Sequence, residues 1–123
     1  MAAGYDGTLR KGSSKRFRRY EGLHEKDKHL RLTKYMLDHP KYVRLSASAK
    51  VLYNYMKLWA CGRDTVEYSA SMAKDFIKSN TTFFKARDEL IEGGFIEYIN
   101  SHRAQHMRET AIYQFSAKWW ENP

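Results

Sequence analysis

The chain has 123 residues, 42% hydrophobic and 15% aromatic, enough for one packed core and too few for two. Its formal net charge of +8 favours a polyanionic partner and disfavours cationic surfaces. No apolar run nears the roughly 18 residues of a membrane helix, no secretory signal follows Met1, and the lone Cys61 excludes an internal disulfide.

A protein of the reducing cytoplasm is therefore the expectation. The charge is unevenly spread. Residues 1–31 hold nine Lys and Arg against four Asp and Glu, whereas residues 32–123 hold thirteen against ten. Between Arg10 and Arg19 there are six positive charges and no negative one. Glycines and the Ser13-Ser14 pair surround this block, and Phe17 and Tyr20 are too sparse to build a core. Residues 1–28 are predicted to form a basic, disordered N-terminal arm. Arg16, Arg18 and Arg19 are its candidate phosphate contacts; a solvated tail or an oligomerisation arm is the other reading.

Residues 29–123 are predicted to form one domain. His29–Leu32 alternates briefly, and Thr33 then caps a short helix, Lys34–Asp38, with Tyr35, Met36 and Leu37 near the core. His39 precedes proline and so leaves helical geometry. Pro40 either closes the segment or starts a further turn through Tyr42 and Val43. Ser46 caps a long helix, Ala47–Ala60, in which Ala49, Leu52, Tyr53, Met56 and Trp59/Ala60 recur at helical spacing. Gly62 stands where a left-handed residue ends a helix. Its neighbour Cys61 is expected to be a buried structural thiol. Thr65–Tyr68 alternates as a short strand, and Ser69–Phe76 reads as a short helix with Met72, Ala73 and Phe76 inward.

Ser79 caps the next helix, which runs to about Glu92 and stops at Gly93-Gly94. Residues 95–99 and 111–115 alternate as two strands of a hairpin, joined by the polar loop 100–110. Trp119-Trp120 is expected to anchor the end of the domain. Leu52, Trp59, Leu90 and Phe95 are expected to be largely buried.

Residues 69–99 meet the physical demands of a helix-turn-helix, two helices set steeply across a tight turn. The first helix must be small-sided, as Ala70, Ser71 and Ala73 are. The second needs one buried stripe, here Phe83, Ala86 and Leu90, flanked by Ile91 or the stem of Arg87. Its other face must be able to meet bases, and Asn80, Thr81, Thr82, Phe84 and Lys85 stand there. The run from Ser79 to Ile96 resembles the winged helix-turn-helix family. It has the capped helix, small polar residues, apolar anchor, basic residue and closing Leu-x-x-x-Gly-apolar-Ile pattern at Leu90, Gly94, Phe95 and Ile96. Residues 32–56 are similar to the opening of replication-initiator-like winged helices of plasmids, conjugative elements and phages. Together the two segments span about residues 30–116.

The resemblance implies a mainly α fold with a small β-hairpin wing. It also implies non-enzymatic binding of double-stranded DNA, in replication initiation or transcriptional control on a mobile element. The recognition helix would be about 79–92, with Lys78, Ser79, Asn80, Thr81, Thr82, Phe84 and Lys85 at the DNA. A basic wing, about 100–110, would add Arg103, His106 and Arg108. Asn80 at the helix start matches adenine's donor–acceptor edge. A homodimer and replication proteins are further compatible partners; no membrane, cofactor or small-molecule substrate is expected.

Departures from the pattern favour a second reading, a winged helix used for protein–protein interaction. Asp88, Glu89 and Glu92 make the second half of the helix acidic, with Glu89 and Glu92 expected to face solvent. Of Phe83 and Phe84 one ring should be core; the other meets a thymine methyl or a partner, unless both are buried. Catalytic signatures are lacking. No Gly-rich phosphate loop precedes a helix, and His102 and His106, four apart on a loop, do not have the setting of zinc ligands.

Overall fold

A computed structural model describes residues 19–22, 28–99 and 111–121. Its elements in order are α1 (Lys34–Asp38), α2 (Pro40–Val43), α3 (Ala47–Ala60), β1 (Thr65–Glu67), a 3-10 turn (Ser71–Ala73), α4 (Asn80–Glu92), β2 (Ile96–Tyr98), β3 (Ile112–Phe115) and α5 (Lys118–Glu121). A further 3-10 turn, Arg19–Glu21, lies within the stretch expected to be an arm, and its residues are exposed. Most of the arm and the loop 100–110 lie outside the described residues.

Three helix starts form for the same local reason. The first amide groups of a helix have no partner within it, so a side-chain oxygen at the N-cap supplies one. Thr33 accepts from the Met36 amide at 3.2 Å, Ser46 from Ala49 at 3.1 Å and Ser79 from Thr82 at 3.3 Å. At α2 the cap is an imidazole: His39 Nδ1 accepts from the Lys41 amide at 3.2 Å, and Pro40 opens the helix. Ring packing covers the rest of His39, which meets Trp119 edge-on at 5.1 Å.

The strands form one antiparallel sheet in the order β1-β3-β2. The last strand is thus central, and the expected hairpin gains β1 along the free edge of β3. Tyr113 is paired with Val66 on one side and Tyr98 on the other, and it is buried. The core lies between α3, α4 and this sheet, with Leu52, Met56, Leu90, Phe95, Ile96 and Tyr113 fully enclosed.

Several expectations need correction. Trp59 is 57% exposed, and Ala60 takes the inward place. Positions 49, 52, 53, 56 and 60 fall on one stripe at 3.6 residues per turn, whereas 59 falls on its edge. In α1 only Met36 is buried; Tyr35 and Leu37 are exposed, because residues directly beside an inward position point to either flank. Cys61 is exposed, and it is left-handed, at φ 56°, together with Gly62 at φ 87°, so the expected left-handed stop begins one residue earlier. The segment 69–76 makes a 3-10 turn instead of a helix, with Met72, Ala73 and Lys74 each donating to the carbonyl three residues back. Ala73 is buried, and Met72 and Phe76 pack partly buried against the core as expected, with Phe76 stacked on Tyr55 at 4.3 Å. Trp119 does anchor the chain end, stacked on Phe95 at 5.6 Å, but Trp120 is exposed.

The passage from α4 into the sheet depends on Gly94. The Gly94 amide donates to Ile91 O at 3.1 Å and the Phe95 amide to Leu90 O at 2.9 Å, the paired bonds of a Schellman stop. That stop needs a left-handed residue, and Gly94 has φ +84°. A Cβ there would also lie 2.7 Å from the Trp119 amide nitrogen. Gly94→Ala should therefore cost more than the roughly 1–2 kcal/mol of the left-handed conformation alone, read as a lowered urea midpoint.

Burial pushes the phenols of Tyr53 and Tyr68 up to about 12. A raised tyrosine pKa means the folded state prefers the neutral phenol. Its stabilisation is complete below about pH 10, the unfolded value, and is lost as pH rises toward 12. Helical circular dichroism should therefore fall across pH 10 to 12 in step with rising tyrosinate absorbance. Tyr53→Phe should make that loss shallower.

Candidate nucleic-acid interface

The candidate interface is built on α4. Phe83, Ala86 and Leu90 are buried, as expected from their spacing, and their burial fixes which residues face out. Lys78, Ser79, Asn80, Thr81, Thr82, Phe84 and Lys85 are all exposed. Thr81, Lys85, Asp88 and Glu92 follow at intervals of four, three and four residues and share one outward stripe. The stripe is neutral to basic as far as Lys85 and acidic beyond it.

The acidic half is largely engaged within the fold. Glu89, expected in solvent, is half-buried and accepts from both the Ser46 amide and the Ser46 hydroxyl at 2.8 Å. It thereby ties the second half of α4 to the cap of α3. Asp88 accepts from Arg87 Nη2 at 2.9 Å.

Arg87 belongs to the fold rather than to the open surface. Its guanidinium carbon lies 4.9 Å from the centre of the Phe84 ring and 5.2 Å from that of Tyr98. Nη1 donates to the Tyr98 hydroxyl at 2.6 Å. Burial works against its charge, but the Asp88 hydrogen bond and the neighbouring tyrosines outweigh it, and the pKa is raised. Phe84 covers one face of this guanidinium and edges onto Phe83, so the ring is 44% exposed rather than fully free or fully buried.

One residue at the corner escaped sequence reasoning. Lys74, just past the 3-10 turn, donates to Asn80 Oδ1 at 2.7 Å and to Lys78 O at 3.0 Å. It spans the loop 77–79 and pins the 3-10 turn to the first residue of α4. Only its charge marked it in the sequence, because the contact crosses a turn of irregular geometry. Lys74, Lys78 and Lys85 place three exposed cations at this end of α4. Arg19 is exposed as well, whereas Arg16, Arg18, Arg103, His106 and Arg108 lie outside the described residues.

A second surface lies between α3 and the 3-10 turn. Tyr55, Leu58, Trp59, Met72 and Phe76 line an apolar cleft of about 440 Å³, with Lys28 and Asp75 also at its wall. Among the described residues no cluster of His, Cys, Asp and Glu has the makings of a metal site, and no helix is long and apolar enough to cross a membrane. Comparison of the chain with known protein families, curated proteins and solved structures found no match.

Lys85 and Arg87 should separate cleanly in a stability measurement. Lys85 makes no ion pair among the described residues, so Lys85→Ala should change unfolding free energy by less than about 0.5 kcal/mol. Arg87→Ala removes a guanidinium packed between two rings and should cost about 1–2 kcal/mol. Parallel denaturant melts of the two variants check this.

Proposed function

We propose that the chain is a non-enzymatic, double-stranded DNA-binding protein of the winged helix-turn-helix class. In this reading α4 is the recognition helix and residues 100–110, between β2 and β3, form the wing. The observation that carries it is the exposed, cation-flanked start of α4, where Asn80, Thr81, Thr82 and Lys85 project while Phe83 and Leu90 anchor the helix. An element order of helix, strand, turn, helix and two strands, closed as β1-β3-β2, is consistent with that class. DNA contact is confined to the first two turns, because the outward stripe turns acidic after Lys85 and like charge repels phosphate. The arm adds phosphate neutralisation without sequence preference. A role in replication initiation or transcriptional control on a mobile element rests on the resemblance of residues 32–56.

The apolar cleft beside Trp59 favours the interaction-module reading, since a solvent-facing patch of this kind suits a protein partner. The two readings part in a competition assay against sequence-randomised duplex, run beside thermal melts. Under the DNA reading Lys85→Ala weakens binding while the melting temperature holds. Replacing Asn80 or Thr82 alters preference among sequences by about 1–3 kcal/mol for each base no longer read. Removing residues 1–28 flattens the log affinity against log salt slope by about 0.9 for each phosphate no longer neutralised. Stable variants that all bind duplex like the parent would leave the interaction reading in its place.

A further inference from the structure

The contact between Lys74 and Asn80 bears on which base the corner accepts. An ammonium has three N–H donors and no acceptor. The atom of the Asn80 amide that faces it at 2.7 Å is therefore the oxygen, whichever way the amide would otherwise turn. A second Lys74 donor holds Lys78 O at 3.0 Å, so the ammonium is fixed from two sides. The Asn80 NH2 group is left facing away from Lys74. Together the pair presents N–H donors and a positive charge.

Adenine's major-groove edge suits this arrangement less well than guanine's. It offers one acceptor, N7, and one donor, the N6 amino group, and asparagine reads both only when its oxygen and nitrogen are both presented. The oxygen keeps a second lone pair for the adenine amino group, but that group would approach beside the Lys74 ammonium, a competing donor that carries positive charge. Guanine offers two acceptors, N7 and O6, and both match donors at the corner.

We propose that Lys74 is a positioning residue that sets the base preference of α4, biasing the Asn80 corner away from adenine and toward guanine. This rests on the DNA-binding reading above. The adjacent acid, Asp75, leaves the direction unchanged, because the atoms closing on Asn80 and Lys78 are those of Lys74.

The test is affinity selection of the full chain on duplex DNA with a randomised centre. Parent, Asn80→Ala, Lys74→Met and Lys74→Arg are compared, each with a thermal melt. The parent should enrich guanine over adenine at one position by about fivefold or more, and Asn80→Ala should flatten that position. Lys74→Met frees the amide oxygen and should move the same position toward adenine. Lys74→Arg, also a pure donor, should keep guanine, a rescue that a merely structural lysine would not show. An Asn80-dependent position that favours adenine in the parent, or guanine retained in a folded Lys74→Met, overturns the assignment and leaves DNA binding standing. Should the Met variant melt early, the parent's own preference at the Asn80-dependent position decides. A parent that enriches no duplex removes the DNA-binding reading and this inference together.

Discussion

The burial of one side of α4 against α3 governs the rest of the molecule. Phe83, Ala86 and Leu90 are each almost wholly enclosed. Exposing a side chain the size of Leu or Phe costs roughly 1.5–3 kcal/mol. Rotating α4 by one residue would bring Phe84 inward but expose Phe83 and Leu90, so the helix has one seat. Its height is set as firmly as its rotation. Glu89 grips the cap of α3 through Ser46, and the Schellman stop at Gly94 leads directly into Phe95 and β2.

That seat explains how a helix with three acids in its second half can still present an exposed, cation-flanked start. Glu89 is turned inward to Ser46, and Asp88 is held by Arg87, which is itself clasped between Phe84 and Tyr98. Glu89 and Asp88 are therefore engaged within the lower half of α4, while Glu92 faces out. The cations Lys74, Lys78 and Lys85 collect at its start. Charge is segregated along the helix, and the two ends are suited to different tasks.

The 3-10 turn at Ser71–Ala73 is where local geometry and proposed recognition meet. A full helix across 69–76 would carry Lys74 on a different bearing. The tighter turn lets Lys74 reach across to Lys78 O and Asn80 Oδ1. The apolar cleft against α3 borders the same segment, through Met72 and Phe76.

Capping and periodicity were readable in the sequence because they are local. Thr33, Ser46 and Ser79 bond to amides within three residues of themselves, and the stripe 83, 86, 90 follows from 3.6 residues per turn. The alternation in 65–68, 95–99 and 111–115 likewise marked the strands, and Gly93-Gly94 marked the stop. What tertiary structure decided were choices between residues that local rules leave equal. Glu89 leaves solvent for a serine 43 positions away, and no pattern within α4 foretells it. Arg87 is a structural cation because β2 supplies Tyr98 beside it, and Lys74 orients Asn80 because a turn of irregular geometry brings them together. Periodicity fixes the face on which a residue lies; only the packing of distant segments fixes which partner it meets there.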